Sequence, residues 1–303
     1  MSRPEFGIGL QGDRPVSEYG ALGRLAEDLG FDVVTAFGDA GYLPPLVVLM
    51  QVAAATSRVR LGPSCLNPYT THPVEMASQI AALAQASGGR AYLGLAKGAW
   101  LDSIGVAQPR PVRKLREAAA VVDLLLRGDE VGYRGEVFTV APGFRLLQPL
   151  PARRVPLLIG AWGPRTVALA GEIADELKVG GSANPDLVAV MRERLGNGST
   201  PIVFGAVTVV DHDGRAARER ARQAVAMYFD VVGRHDPTVD VANGLTEDLL
   251  DRFVLAGTPK EIARQVRRLV DAGVARVEFG APFGLDLMGG LELLGREVLP
   301  EFS

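Results

Sequence analysis

The sequence predicts an α/β fold: a TIM (β/α)8 barrel with insertions at the C-terminal face of its strands. Three observations lead there. About eight short aliphatic or β-branched runs alternate with longer stretches whose apolar residues recur at helical spacing, the pattern of repeated βα units. Most of the runs are apolar at nearly every position, as strands are when helices cover both faces of a parallel sheet. The 303 residues somewhat exceed the ~250 typical of this barrel, which leaves length for loops. An open doubly wound sheet is the alternative, and no Gly-x-Gly-x-x-Gly follows the first run to support it. The whole chain, 1–303, reads as one barrel domain.

The first strand is placed at Phe6 to Leu10; Leu22, Leu25, Ala26 and Leu29 then fall on one face of a helix that Gly30 ends. The second strand spans Asp32 to Ala36, and Pro44 opens the next helix, where a missing N–H costs nothing. Strand three, Val59 to Leu61, leads to a helix begun by Pro73, whose start His72 orients. Strand four covers Ala91 to Leu95. A first excursion, 97–112, precedes a helix with Leu115, Val122, Leu125 and Leu126 on its buried face, and Asp129 to Leu150 reads as a β-hairpin turning at Arg134-Gly135. Strands five, six and seven are Pro156 to Ile159, Leu177 to Val179 and Ile202 to Val210. The last excursion, Phe229 to Phe253, comes before a helix capped by Thr258 and opened by Pro259, with Ile262, Val266, Leu269 and Val270 on one face and Gly273 at its end. Strand eight is Arg276 to Phe279. Loops after the strands build the active site of such a barrel, so the first and last excursions are lid candidates.

Composition narrows the function. With 48% apolar residues, 22% charged residues of both signs and a net charge of −3, the chain is neither disordered nor a general nucleic-acid binder. Cys65 is the only cysteine, so no intrachain disulfide forms, and His72, His212 and His235 show no metal-ligand spacing; no metal is expected. The longest apolar window, Leu43 to Ala55, holds two prolines and falls short of the ~20 residues that span a bilayer. No signal-like stretch lies between Met1 and Asp13, so the expected location is the cytoplasm, with no membrane partner.

Four motifs stand out in order along the chain. The third strand runs into Leu61-Gly-Pro-Ser-Cys-Leu-Asn-Pro-Tyr-Thr-Thr-His-Pro73, and strand four into Gly88-Gly-Arg-Ala-Tyr-Leu-Gly-Leu-Ala-Lys-Gly98. Next come Pro156-Leu-Leu-Ile-Gly-Ala-Trp-Gly-Pro-Arg165 with Ala170-Gly-Glu-Ile-Ala-Asp175, then Ala256-Gly-Thr-Pro-Lys260 with Val277-Glu-Phe-Gly-Ala-Pro-Phe-Gly284. Together they resemble the luciferase-like flavin and deazaflavin oxidoreductases, and within them the methylenetetrahydromethanopterin reductase branch. The match runs from about residue 6 to 284.

The resemblance implies that coenzyme F420, or alternatively FMN, lies at the strand C-termini. It places a non-prolyl cis peptide behind the central cofactor ring at Ser64-Cys65, with Asn67 beside it, Lys97 and Gly98 at the end of strand four, and Asp102 as a further polar contact. It assigns the cofactor phosphate to the loop Gly160-Ala161-Trp162-Gly163-Pro164-Arg165, with Gly180-Gly181 as a second position. That loop opens a helix whose unpaired N–H groups also suit an anion on physical grounds, although an ordinary βα turn would look the same. For Cys65, a small buried apolar side chain is an equal reading, and no histidine is placed to make it a nucleophile. Arg110, Arg113, Lys114 and Arg116 either form a solvated face or meet the coenzyme's acidic tail. Trp100, Trp162, Tyr69 and Phe283 are candidate pocket walls.

The chain departs from the family pattern where acids and bases are usual. A glutamate at the end of strand one becomes Gly9, an Asp-His pair after strand two falls on Gly38 and Asp39, and an acid after strand four becomes Ala99. Asp39 is the candidate catalytic acid or base, with Lys97 as the other candidate and Tyr42 as a helper; alternatively Asp39 caps its own loop and Lys97 snorkels to the rim. The expected activity is hydride transfer between the deazaflavin and an unsaturated or carbonyl/imine-type small molecule, in a homo-oligomer. The alternatives are an FMN-dependent monooxygenase and a barrel that has lost redox catalysis and only binds.

Overall fold

A computed structural model describes residues 3–196, 198–242 and 244–302. In chain order the elements are β1 (Glu5–Leu10), α1 (Tyr19–Asp28), β2 (Val33–Ala36), α2 (Pro45–Ala55), β3 (Arg60–Pro63), α3 (Pro73–Ala86), β4 (Leu93–Leu95), α4 (Pro111–Arg127) and the short pair β5 (Tyr133–Arg134) and β6 (Thr139–Val140). They continue with β7 (Leu157–Gly160), α5 (Pro164–Ile173), β8 (Glu176–Gly180), α6 (Asp186–Leu195), β9 (Ile202–Val210), α7 (Gly214–Val232), α8 (Glu247–Phe253), β10 (Val254–Gly257), α9 (Pro259–Asp271), β11 (Arg276–Gly284) and α10 (Leu287–Leu293).

Eight of these strands pair in parallel in the order β3-β2-β1-β11-β9-β8-β7-β4, and bridges Leu61–Ala91 and Leu66–Leu95 bring β4 back to β3, nearly closing a barrel. Outward strand residues such as Phe6, Ile8, Leu61, Ile159 and Phe279 are buried beneath the helices. Several helix signals act as the sequence predicts. His72 Nδ1 accepts from the Val74 N–H (3.3 Å) at the start of α3. Thr258 and Glu261 form a reciprocal capping box on α9, and Pro259 opens that helix.

Two expectations need revision. Val254–Gly257 is a ninth strand, β10, which pairs with the far half of β9 while β8 pairs with the near half. The last excursion is also largely helical: its first residues finish α7, its last form α8, and both pack on a small separate core of Val209, Ala221, Phe229, Leu250 and Phe253. The predicted hairpin is present in its β5–β6 portion, paired antiparallel. Its turn residues are tied to α4 by the Glu117 carboxylate, which accepts from the N–H groups of Glu136, Val137 and Phe138 at 2.9–3.0 Å.

The barrel interior is charged rather than apolar. Near the strand starts, Arg60 Nη2 donates to Glu5 (3.0 Å) and Glu176 (2.8 Å), and Arg276 Nη1 donates to Glu176 (2.9 Å). One pleat higher, Arg276 Nε donates to Glu278 (3.1 Å) and the Lys178 ammonium donates to the other Glu278 oxygen, with both Lys178 and Glu278 almost fully buried. Side chains alternate along a strand, so the inward positions two residues beyond Gly7, Tyr92, Leu158, Lys178 and Glu278 are Gly9, Gly94, Gly160, Gly180 and Gly280. Glycine at these positions lets neighbours approach closely: Phe37 at Gly9, Pro63 at Gly94, Cys65 at Gly160 and Ala206 at Gly280, while Gly180 faces open space.

Candidate active site

One side of the C-terminal mouth is formed by the bulge after β3. Ser64 N–H donates to the Ala36 carbonyl (2.8 Å), the Ser64–Cys65 peptide bond is cis, and Leu66 N–H then donates to the Gly94 carbonyl (2.9 Å), returning the chain to β4. Cys65 Sγ faces Gly160 so closely that a Cβ there would stand 2.9 Å from the sulfur. A Cβ on Gly38 would overlap the Cys65 carbonyl oxygen, which explains why no side chain stands at that position. Burial pushes the Cys65 thiol up to about 11, so it is a neutral wall and not a nucleophile near neutral pH. Asn67 is buried, and its Oδ1 holds the loop by accepting from the Tyr69 and Thr70 N–H groups (3.1 and 3.0 Å).

Gly160 to Arg165 forms the facing wall. Gly163 caps α5 and its carbonyl accepts from Thr166 and Val167, leaving the Arg165 N–H among the first-turn amides that helix geometry keeps open. Trp162 is fixed by its indole N–H donating to the Gly180 carbonyl (3.0 Å), and Ala161 is buried beneath it. Added Cβ atoms at Gly163 and Gly180 would meet nothing within 4 Å. Pro164 and Arg165 are exposed, and Arg165 joins Arg110, Arg113, Arg116 and Glu136 around a cavity of about 440 Å³. Glu136 pairs with Arg113 (2.9 Å) and Arg110 (3.7 Å), whereas Arg116 pairs with Glu172. Two segments that the sequence reading kept apart thus share one cationic pocket.

Asp39 follows β2 at the mouth. Burial raises its pKa, partly offset by the Gln11 amide, which approaches the carboxylate without a regular hydrogen bond, and by the Lys178 ammonium. A carboxyl raised in the folded state contributes stability that is present below the ordinary aspartate range and is lost as pH rises through the folded value. Asp39→Asn is therefore expected to raise the melting temperature by about 1–3 °C at pH 7, with the gain vanishing near pH ~4. Calorimetric scans at the two pH values check this.

Above Asp39, the Tyr228 ring meets Trp100 edge to face with centroids 5.4 Å apart. Burial, then the Asp39 charge, pushes its phenol up to about 12. At the other end of the mouth, the His235 ring lies 6.5 Å from Trp162; burial and the charges of Lys97, Arg234 and Arg194 pull its pKa down. Asp39 thus sits with Gln11, Lys178 and Tyr228, whereas Lys97 is exposed beside His235 and its carbonyl accepts from Gln108. Gly98 (φ 83°) packs on Asn67, and Asp102 is exposed in the short turn Leu101–Ile104. Of the candidate walls, Trp100 and Trp162 reach the mouth. Tyr69 instead donates its hydroxyl to the Pro109 carbonyl (2.8 Å), and Phe283 is fully buried.

One departure from the family pattern has a steric cause. The Phe37 ring occupies the space above Gly9, where any Cβ would overlap it, and the Lys178 ammonium lies 5.4 Å from that ring's centroid. Sequence reasoning missed Lys178, Glu278, Gln11 and Tyr228; the one available signal was a charge in the middle of two otherwise apolar strands. Among the described residues no cluster of His, Cys, Asp or Glu suits a metal, and no helix is long and apolar enough to cross a membrane.

The chain is 30% identical to the 5,10-methylenetetrahydromethanopterin reductase of Archaeoglobus fulgidus over 99% of its length and 100% of that protein. It is 29% identical to the F420-dependent glucose-6-phosphate dehydrogenase of Microbacterium testaceum over 92% of this chain and 91% of that one. The structure of the coenzyme F420-dependent tetrahydromethanopterin reductase from Methanopyrus kandleri superposes with a TM-score of 0.84 at 27% identity, covering 100% of both chains. A family profile described as luciferase-like monooxygenase matches residues 2–276, and the chain belongs to that family.

Proposed function

We propose that this protein is a coenzyme F420-dependent oxidoreductase that moves a hydride between the deazaflavin and an unsaturated, carbonyl or imine carbon of a small molecule. One observation carries the reading: the Ser64–Cys65 bulge packs against Gly160, and the loop that begins there ends at Arg165, which lines an arginine-rich cavity with Arg110, Arg113 and Arg116. That shape and charge suit a planar ring with an anionic arm. Relatives spanning more than nine-tenths of the chain carry F420-dependent names, which favours the deazaflavin over FMN.

When bound, the deazaflavin supplies the hydride chemistry. Ser64, Cys65 and Asn67 would form one wall against its ring, and Lys97, Gly98 and Asp102 the edge. Gly160, Ala161, Trp162, Gly163, Pro164 and Arg165 would hold its phosphate. Arg110, Arg113 and Arg116, together with Arg165, would take its acidic tail in exchange for Glu136. Asp39, whose pKa burial raises, is the candidate group to exchange a proton at the substrate side, and Lys97 is the second candidate. Trp100 and Tyr228 cover the mouth and exclude water. We place the protein in the cytoplasm as a homo-oligomer, with the exposed Val47 and Met50 of α2 offering an apolar contact face.

Titration of the purified protein with coenzyme F420 and with FMN, followed by fluorescence, tests the assignment. F420 is expected to bind at least roughly tenfold more tightly, about 1.4 kcal/mol. Tighter FMN binding with oxygen uptake would move the protein to the monooxygenases; binding of neither would leave a non-redox barrel.

A further inference from the structure

The cavity of about 440 Å³ at the end of the Gly160–Arg165 loop falls within the ~300–1,000 Å³ of ordinary ligand pockets, and four guanidiniums line it against one carboxylate. Arg110, Arg113 and Arg116 come from the start of α4, and Arg165 from the first turn of α5. Arg116 already pairs with Glu172. Lys114 turns to Tyr69 instead, its ammonium 4.2 Å from the ring centroid. Arg165 forms no ion pair among the described residues, so its charge faces the cavity uncompensated.

The carboxylate is that of Glu136, and it marks what the arginines hold. Its Oε1 meets Arg113 Nη2 at 2.9 Å and its Oε2 lies 3.7 Å from Arg110 Nη1, so one carboxylate bridges two guanidiniums. It belongs to the β5–β6 turn, which the buried Glu117 fixes by accepting from three N–H groups, that of Glu136 among them. The backbone of Glu136 is thus anchored, while its side chain and those of both partners are at least half exposed. Ion pairs so exposed contribute little, and a carboxylate on another molecule can take the place of Glu136 at the same guanidiniums. The cavity therefore offers two carboxylate positions, one open at Arg165 and one filled from within.

We propose that Glu136 is a tethered counter-anion that sets how much an acidic arm gains from each added carboxylate: the first settles at Arg165, and a further one reaches Arg113 and Arg110 only by displacing Glu136. This names a specificity-determining residue for the proposed F420 site and rests on that reading for the ligand's identity. An arm that ends in one phosphate, as in FMN, leaves Glu136 where it is. A glutamyl arm extends past Arg165, and what it gains there is the difference between its own carboxylate and the one it evicts. Neutralising Glu136 therefore steepens the dependence of affinity on arm length.

The test is fluorescence titration with the deazaflavin coenzyme carrying three glutamates and with the form that carries none, alongside calorimetry of the coenzyme-free protein with tri-γ-glutamate. Glu136→Gln is expected to tighten the three-glutamate form at least roughly fivefold and the form without glutamates by less than about twofold. Arg113→Ala should weaken the three-glutamate form by at least roughly fivefold and leave the other unchanged. Tri-γ-glutamate alone should follow the three-glutamate form in both variants. These differences should fade near 1 M salt, where the screening length falls to about 3 Å, which an altered fold would not do. Glu136 and Arg113 are exposed, so their replacement spares the fold. Equal gains for both coenzyme forms, no gain in Glu136→Gln, or a gain that survives high salt would overturn the proposal. If neither coenzyme form binds while tri-γ-glutamate behaves as expected, the oxidoreductase reading falls and the role of Glu136 stands; if both forms bind equally well in every variant, the reading stands and the role of Glu136 falls.

Discussion

Glu278→Leu is expected to destabilise the barrel by about 3–5 kcal/mol, read as a lower urea midpoint at unchanged slope. Glu5, Glu176 and Glu278 face Arg60, Lys178 and Arg276, so the charges of this network balance, with Lys178, Arg276 and Glu278 buried and Glu5 and Arg60 partly exposed at its end. Burial alone would raise the Glu278 pKa, but the Lys178 and Arg276 charges outweigh it and hold the carboxyl below its usual range. Removing it leaves Lys178 without its ion-pair partner, Asp39 remaining only as a more distant charge, and Arg276 with its remaining partners at the strand starts. An unpaired buried ammonium costs more than an absent pair, so adding Lys178→Met to Glu278→Leu should recover part of the loss. A double variant no more stable than Glu278→Leu would show that the pair does not act through charge balance.

Gly38→Ala is expected to weaken coenzyme binding by at least ~100-fold, about 2.7 kcal/mol, in the fluorescence titration. The added methyl would overlap the Cys65 carbonyl oxygen, a backbone atom that cannot rotate away, so the bulge itself must shift out of the ring site. Gly20→Ala supplies the comparison. It lies in α1, where a Cβ would meet the Gln51 carbonyl oxygen at 3.5 Å and the Ala55 methyl at 3.6 Å, ordinary contacts, and alanine favours a helix. Unchanged F420 affinity in Gly38→Ala would remove the bulge from the binding site.

The eight barrel strands were legible because strands buried on both faces must be apolar almost throughout, and Ile202–Val210 has the same bounds in sequence and structure. β10 was not legible. Its four residues, Val254–Gly257, follow α8 directly and are too few to set a period of their own. The helix start after Gly160 could be read because it carries its signals locally, in Gly163 and Pro164. The polar half of the site could not. Lys178 and Glu278 lie 100 residues apart and pair only when the barrel closes. Tyr228 lies on a long helix, with nothing in its neighbours to distinguish it from other surface-helix aromatics. Gln11 belongs to a loop held by Tyr19 and facing Asp39, contacts that no local pattern around it signals.

The Phe37 ring above Gly9 ties the choice of residue at one position to that at the other. An acid placed at residue 9 would meet the tip of the aromatic ring, which must swing aside or give way to a smaller side chain. Conversely, once residue 37 is small, the lysine below loses its aromatic cover and a carboxylate at residue 9 gains a nearby cation. A side chain at residue 9 and the ring of residue 37 thus compete for one volume, and a change at either site resets what the other can hold.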